Sequence, residues 1–550
     1  MRSRLTVPGT ALAALTATLG LWGAILSHLS MLIAASMILA GLGAAWVLTR
    51  HRIRTVHSGA LDMVWWVDLP HGTHGTIVPG RKLSLHVTMR NRARVSLGSC
   101  RLEFVTGPGL SISPVALPLP PEQTTSVQGV LHPHAVGRWL VHGALVAFQG
   151  PAGIFSWDAY FPAPQALRIL PEAVVRRRRL MPRGMEQDTK GRFRVVGPGG
   201  DLREVREYRP GDPFKLMAWK HTARRGKPMV RQLEHPTRGR LHIILDMSPS
   251  MRDAPVGSSK LDCAIQSVAD QAASAASAGA PFSYQAVDMD IYHELEQDEG
   301  PRQLSRLLLL LSDLHTVVEE GFTDSTDQEV VEAIGRYLAY QEGMDTRAAP
   351  DDPRGMAGTE NFYLKPLLVK WARSCLESRK HPQRDRMPKV SVPVARDPTM
   401  AMLRTCCRIR GITLPYRSGG LPENKTKGLA AALTKIAVTR SPMTLILVTD
   451  LRQLSVTGSL EDALRLTRRR GHSLQLLVPY APNLKDRPND PVAGAIFDLQ
   501  GRREWLSIQE NVIAFSRMGF DVRFLDRTGR PIRRTRQRPE PILARNAASL

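Results

Sequence analysis

From Leu5 to Thr49 the chain carries one ionisable side chain, His28, in the short polar break "SHLS" between two apolar runs. Each run is about twenty residues long, enough to cross ~30 Å of hydrocarbon. The pattern predicts a transmembrane helical hairpin over residues 1–57. Arg2 and Arg4 precede it and Arg50, His51, Arg52 and Arg54 follow it, which by the positive-inside rule places both outer ends in the cytoplasm. The expected location is the inner (cytoplasmic) membrane, with the bulk of the chain in the cytoplasm. A cleaved signal peptide is the competing interpretation of "MRSR" and the first run, but that run exceeds the usual ~7–15 residues and a second follows at once. Gly20, Gly23, Gly41 and Gly43 would let the two helices approach closely.

The rest of the chain is globular in composition, with 43% hydrophobic and 23% charged residues. Its 550 residues exceed what one hydrophobic core organises, since single cores stop growing near ~250 residues. Lys+Arg outnumber Asp+Glu by 74 to 50, for a net charge of +24, which suits nucleic acid, an anionic membrane face or an acidic partner without choosing among them. Cys100, Cys263, Cys375, Cys406 and Cys407 make an odd set with no C-x-x-C pair, so neither a disulfide framework nor a zinc ribbon is indicated.

Residues 58–172 read as a β-sandwich-like domain. In "KLSLHVTM", Leu83, Leu85, Val87 and Met89 fall on one face, and further short β-prone runs follow between Pro/Gly turns. His132 and His134 have the spacing of a ligand pair but no third ligand nearby, which favours a plain strand or loop. A basic linker and signature segment follows at 173–239. Arg176 to Arg179 suit an anionic bilayer better than nucleic acid, for no aromatics are interleaved with them. The glycine-rich "VVGPGGD" at 195–201 lacks the Lys-Ser/Thr of a phosphate loop and reads as a flexible loop.

From residue 240 to about 530, strand-like runs ("LHIILD", "SYQAVDMDI", "TLILVTD", "SLQLLVPY", "DVRFLD") alternate with helical ones. Alternation of this kind predicts a doubly wound, mostly parallel sheet whose ligands bind beyond the strands' carboxyl ends. Two strands end there in aspartate, Asp246 and Asp450. In the extended loop "DMSPS", side chains two apart point the same way, so Asp246, Ser248 and Ser250 can aim three oxygens at one hard cation. Thr426 and Asp450 are candidates to complete the shell of a magnesium ion. The same triplet also fits a tight turn or a helix cap.

With these residues in view, the chain resembles von Willebrand factor A domains. "DMSPS", Thr426 and the "TD" at 449–450 are similar to their metal-ion-dependent adhesion site, where Mg²⁺ or Mn²⁺ completes its shell with an acidic residue of a partner protein. "REYRPGDPFKLMAWKHTAR" at 206–224 and "GPAGIFSW" resemble the bacterial membrane proteins of domain-of-unknown-function family fifty-eight. That resemblance implies a membrane hairpin, a β-rich domain and an A-type domain, with a MoxR-type AAA+ ATPase as partner. Within the signature, Arg206, Glu207, Tyr208, Pro210, Gly211 and Asp212 suggest a charge-pinned turn, followed by Trp219 and Arg224. Lys215 stands where the pattern has Arg, one point charge in place of a fork. Lys425 replaces the glycine before Thr426, and Lys427 follows, so two ammonium groups flank the proposed cation site.

An insertion at about 313–400, with amphipathic runs at "DQEVVEAIGRYLAYQ" and "LKPLLVKWARSCLES", suggests either a partner-specific surface or helices packed on the domain. The adjacent Cys406 and Cys407 read as core residues, and residues 531–550 as a basic disordered tail. The function expected is a membrane-anchored, non-enzymatic protein-interaction module whose metal site, Asp246, Ser248, Ser250, Thr426 and Asp450, grips an acidic residue of a partner protein. The alternative is a metal-dependent hydrolase using the same loop. An enzyme would need a general base or nucleophile pair near the metal, and Asp253 is the nearest spare carboxylate. No specific nucleic acid is expected, since only net charge argues for one.

Overall fold

The computed structural model describes residues 4–68, 77–173, 185–187, 193–207, 217–236, 240–344, 365–377, 397–418, 422–439, 441–456, 458–484 and 487–532. Strand β1 (Arg4–Leu5) leads into helices α1 (Val7–Ile25) and α2 (Leu29–His57). Both helices are long and apolar enough to cross a membrane, and only 11% of each apolar window is buried in the protein. Leu21, Trp22, Ile25, Leu29, Ile33 and Met37 are all exposed. A soluble chain does not leave so much contiguous apolar surface to water, so the pair fits a membrane-associated protein. Gly20 and Gly23 lie at the helix–helix contact, with positions for a Cβ 3.9 Å from Ala35 Cβ and 3.1 Å from Met31 Cβ. Nothing approaches Gly41 or Gly43 within 4 Å, so these two have no part in it.

Two antiparallel sheets follow. One has the order β1-β9-β8-β4-β6 and the other β2-β3-β7-β5, with β2 Leu61–Val67, β3 Leu83–Asn91, β4 Gly98–Thr106, β5 Leu110–Ile112, β6 Val115–Leu119, β7 Thr124–Pro133, β8 Gly137–Gln149 and β9 Phe155–Ile169. The alternation in β3 is realised as expected, since Leu83, Leu85, Val87 and Met89 are buried and Ser84 and Arg90 are exposed. His132 lies in β7, and His134 Nε2 is 2.7 Å from Ser111 Oγ. No group of three metal-ligating His, Cys, Asp or Glu occurs among the described residues.

The turn "GPAGIF" joins the two ends of the hairpin. Thr6 N donates to Ile154 O at 3.0 Å, and Thr6 Oγ1 donates to Gly153 O at 2.5 Å. A Cβ on Gly9 would lie 2.3 Å from Ile154 O. From the other helix, Thr49 is fully buried, and a Cβ on Gly150 would lie 2.6 Å from its hydroxyl and 3.1 Å from Phe155 O. Ala152 (φ 54°) and Gly153 (φ 68°) carry the backbone through the left-handed region that makes this close approach possible.

Strands β10 (Met185–Gln187), β11 (Phe193–Glu207) and β12 (Met229–Pro236) form a third antiparallel sheet, with α3 (Trp219–Arg225) before β12. "VVGPGGD" lies inside β11, where the register shifts between Val196 and Asp201. The loop expected there is therefore an irregularity in a paired strand, because glycines in a strand mark bulges as readily as loops. Arg176–Arg179 and Tyr208, Pro210, Gly211, Asp212 and Lys215 fall outside the described residues, as does the tail from 533.

The fourth sheet has the order β15-β14-β13-β16-β17-β18, from β13 (Leu241–Asp246), β14 (Phe282–Val287), β15 (Ile291–Asp298), β16 (Thr444–Val448), β17 (Ser473–Pro479) and β18 (Asp521–Leu525). Every pairing is parallel except β14 with β15, a hairpin edge. The mostly parallel sheet expected from residue 240 onward thus lies in this half, and the sheets before it are antiparallel. Strand β16 is buried along its whole length, as befits a parallel strand covered on both faces. On one face α9 (Pro422–Ala437), α10 (Ser459–Arg469) and, after the short α11 (Ala481–Leu484), α12 (Pro491–Arg517) share a core with Ile244, Leu447 and Leu476. Helix α4 (Lys260–Ser277), buried along most of its length, touches β13, β14 and β17. Helix α5 (Pro301–Ser312) follows β15. The strand order reverses between β13 and β16, which defines the crevice where such sheets place their ligands.

Helices α6 (Asp327–Tyr337), α7 (Lys365–Glu377) and α8 (Pro398–Arg410) interrupt this half in sequence, yet residues 325–379 and 399–414 form one compact unit with residues 1–169. Arg138 Nη1 donates to Arg408 O at 3.2 Å, and Gln341 Nε2 donates to Tyr160 OH at 2.7 Å. The insertion therefore packs on the β-rich sheets, where the sequence had assigned it to the α/β domain. Cys406 and Cys407 are fully buried in α8, as expected of core residues.

The close approach at the turn predicts that Gly150→Val forces Thr49 and the Phe155 carbonyl apart, at about 1–3 kcal/mol. In detergent-solubilised protein this should appear as a lower unfolding midpoint and faster hydrogen exchange at the Thr6 amide. Exchange at wild-type rates would show that the turn does not hold the hairpin.

Candidate functional site

Asp246 ends β13, and Asp450 stands two residues past the end of β16, so the switch point gathers two carboxylates that are 0% and 1% exposed. The loop between β13 and α4 doubles back at once. Ser248 N donates to Asp246 Oδ1 at 2.9 Å, Ser248 Oγ and Ser250 Oγ are 3.2 Å apart, and Ser250 Oγ donates to Asp450 Oδ1 at 3.1 Å. Four of the five residues singled out from the sequence are thus brought together. Thr426 opens α9 beside them and accepts a hydrogen bond from Ser455 N at 3.2 Å.

The centre of the cluster is taken by Lys425. Its Nζ lies 2.7 Å from Asp246 Oδ2, 2.7 Å from Asp450 Oδ1 and 3.2 Å from Ser250 Oγ. An ammonium has three protons, and here each has an acceptor. A second lysine completes the arrangement, with Lys260 Nζ 3.1 Å from Asp450 Oδ2 and 2.5 Å from Glu504 Oε1 of α12. Asp246 Oδ2 also accepts from Thr449 Oγ1 at 2.7 Å, and Asp450 Oδ1 from Arg452 N at 3.1 Å. Burial alone would drive the Lys425 ammonium to lose its proton, but Asp246 and Asp450 outweigh it and hold its pKa above the ordinary lysine value. Burial would likewise raise the Asp450 carboxyl, yet Lys425 and then Lys260 hold it well below the usual carboxylate range.

These contacts decide how the residues suit a divalent cation. Magnesium needs about six oxygens at ~2.1 Å, and the two best, Asp246 Oδ2 and Asp450 Oδ1, already face an ammonium. A doubly charged ion bridging the same oxygens would stand beside Nζ, with repulsion on the order of 8 kcal/mol at ~4 Å. With Lys425 in place, the donor set does not fit the ion. Lys427 is exposed. Asp253, the spare carboxylate, is paired with Arg452.

The strand after the site ends in a third buried carboxylate. Asp288, just past β14, is gripped by Arg417, with Nη2 to Oδ1 at 2.5 Å and Nε to Oδ2 at 3.0 Å, and accepts from Tyr416 OH at 2.5 Å. Arg252 lies over the Tyr416 ring at 3.8 Å and donates to Met247 O and Leu314 O, which ties the serine-bearing loop to this second knot. Asp324 accepts from Ser418 N and Oγ at 2.6 and 2.7 Å, closing the neck through which the insertion leaves and returns.

Lys260, Glu504, Asp288 and Arg417 were not singled out from the sequence. One signal was available for the lysines. Lys260 and Lys425 lie in the first turns of α4 and α9, the positive end of each helix dipole, where a buried cation needs a carboxylate opposite. Glu504 carried no signal, since it arrives from mid-helix, 244 positions along the chain from Lys260.

Residues 204–336 match the family described as "Protein of unknown function DUF58". The match and the two apolar helices fit a membrane-associated protein of that kind. No curated protein matches the chain. Among solved structures, a FixG-related protein from Vibrio parahaemolyticus is 7% identical over 20% of this chain and 96% of its own, with a TM-score of 0.13. A GH20 exo-β-N-acetylglucosaminidase from Vibrio harveyi in complex with N-acetylglucosamine is 10% identical over 76% of this chain and 82% of its own, with a TM-score of 0.14. At these scores neither carries an argument about fold or activity.

The shifts fix a pH window. Asp450 is depressed in the folded state, so its contribution is present above the unfolded value of about 4 and is lost as pH falls below it. Lys425 is raised, so its contribution is complete below about 10.4 and is lost as pH rises past it. Asp450→Asn should cost about 3–5 kcal/mol at neutral pH, because each of two buried ammonium groups loses one of its charged partners, leaving Lys425 with Asp246 and Lys260 with Glu504. The gap from wild type should narrow below pH ~4. Equal neutral-pH denaturation midpoints for the two proteins would show that the pairing is absent in solution.

Proposed function

We propose that the chain is a membrane-anchored, non-enzymatic protein-interaction module built on a von Willebrand factor A-like domain. The observation that carries this is the saturation of the cluster at the switch point. All three Lys425 donors are spent on Asp246, Asp450 and Ser250, and both Asp450 oxygens are ion-paired. In this state neither carboxylate can serve as a general base, since a base needs a free lone pair near the reacting proton and a pKa closer to neutrality. That argues against the hydrolase alternative. The sheet order, with its antiparallel β15 edge and the aspartates on adjacent parallel strands, supports the A-like assignment.

The partner the family resemblance implies is a MoxR-type AAA+ ATPase, working with this chain in assembly or activation of other proteins. The metal-bridged grip on an acidic residue of a partner protein, implied by the same resemblance, requires Lys425 to leave the cluster first. The loops fixed by the cluster, residues 247–256 and 450–456, offer a contact surface whose shape does not depend on added ions.

The full chain, purified in mild detergent and used as bait with and without Mg²⁺, should recover an AAA+ ATPase. Recovery of no ATPase in either condition removes the partner from the proposal. For the anchor, a reporter fused after Leu550 should behave as cytoplasmic. Alkaline phosphatase activity there would reverse the orientation and restore the signal-peptide interpretation.

A further inference from the structure

We infer that the Lys425 ammonium is the resident cation of this site, a covalently tethered replacement for a divalent ion. The cluster would then be permanently filled, independent of metal supply, and convertible to a divalent site by removing one side chain. Three observations converge on this. Nζ sits where an ion shared by the two strand-end carboxylates would act, 2.7 Å from an oxygen of each. Ser250 Oγ, the hydroxyl the loop aims inward, meets the same nitrogen at 3.2 Å. The side chain comes from the first turn of α9 and is only 3% exposed, so it has no solvent-facing position to share with a competing ion.

The charge balance makes the replacement workable. Asp246, Asp450 and Glu504 face Lys425 and Lys260, three negative charges against two positive, and Glu504 is the most exposed of the five at 11%. A divalent ion added to both lysines would make the buried group net positive, whereas a divalent ion in place of Lys425 would leave it neutral. A neutral group buried with full hydrogen bonding is the cheaper state, so loss of the lysine and entry of the ion are linked. Binding an acidic residue of a partner is constrained in the same way. The tethered ammonium has no fourth donor, while a metal ion would keep an open coordination position.

The test uses the full chain in detergent, with Mn²⁺ as the probe and two readouts other than activity. Electron paramagnetic resonance should show no Mn²⁺ bound to wild type at 1 mM metal, on the order of a weak-site concentration. Acylation of Lys425, followed by mass spectrometry, should stay low whether or not Mn²⁺ is present. Lys425→Ala should bind Mn²⁺ and gain several degrees in unfolding midpoint from it, because an ion that binds only the folded state stabilises it by mass action. Both effects should disappear in the double variant Lys425→Ala/Asp246→Asn. The proposal is overturned if wild type binds Mn²⁺ in an Asp246-dependent way while Lys425 becomes open to acylation, for then the lysine is a displaceable gate. It is equally overturned if folded Lys425→Ala binds no Mn²⁺. Should that variant not fold, the wild-type binding and acylation measurements decide alone: low acylation with no bound ion supports the tethered cation, and the converse removes it. A missing ATPase partner would leave these results untouched, so this inference and the proposed function fail separately.

Discussion

Two charged carboxylates at the ends of adjacent parallel strands cannot be buried side by side without cations between them, and the α/β half of this protein is organised around that constraint. Lys425 reaches in from α9, Lys260 from α4 and Glu504 from α12, so three helices are anchored to one ionic knot at the switch point of the sheet. Each lysine lies in a first helical turn, where the dipole disfavours it, and the strand-end carboxylates offset that cost. A buried network of this kind is weak evidence for stability but strong evidence for a specified arrangement, since breaking any one partner leaves another charge uncompensated.

A second knot works beside the first. Asp288 holds Arg417 and Tyr416, and Arg252 stacks on Tyr416 while bonding the backbone on both sides of it. The loop that presents Ser248 and Ser250 is therefore clamped at both ends, by Asp450 on one side and by Arg252 on the other. The chain segments entering and leaving the insertion are paired through Phe322, Asp324, Arg417 and Ser418.

The attachment of the apolar helices uses sterics where the rim uses charge. Its fixed point is a turn in which Ala152 and Gly153 take left-handed backbone angles and Gly150 lets a buried Thr49 hydroxyl come within reach. Gly9 does the same for α1 against the Ile154 carbonyl. Both apolar helices thus meet the β-rich sheets through backbone atoms and small residues, an attachment that tolerates no added side chain at those places. "GPAGIFSW" was visible in the sequence only as a point of resemblance, and this packing gives it a physical role.

Local rules determined a good deal from the sequence alone. The uncharged stretch ahead of Arg50 specifies two apolar helices because no ionisable group interrupts either run except at the break. Strict alternation in "KLSLHVTM" specifies a half-buried strand, and the continuous apolar runs ending in Asp246 and Asp450 specify parallel strands with their carboxylates at one rim. The convergence of Asp246, Ser248, Ser250 and Asp450 was legible too, but its geometry was not, since the loop expected to be extended turns back in a 3-10 turn at Pro249–Arg252. What occupies the space between them was not. Lys425 and Lys427 flank Thr426 almost symmetrically in sequence, and only helical rotation sends the first inward to the carboxylates while leaving the second exposed. Glu504, Asp288 and the packing of the 325–414 helices on the β-rich unit depend on contacts between residues tens to hundreds of positions apart. No local propensity encodes such contacts, because they form only when segments far apart in the sequence fold into one compact unit.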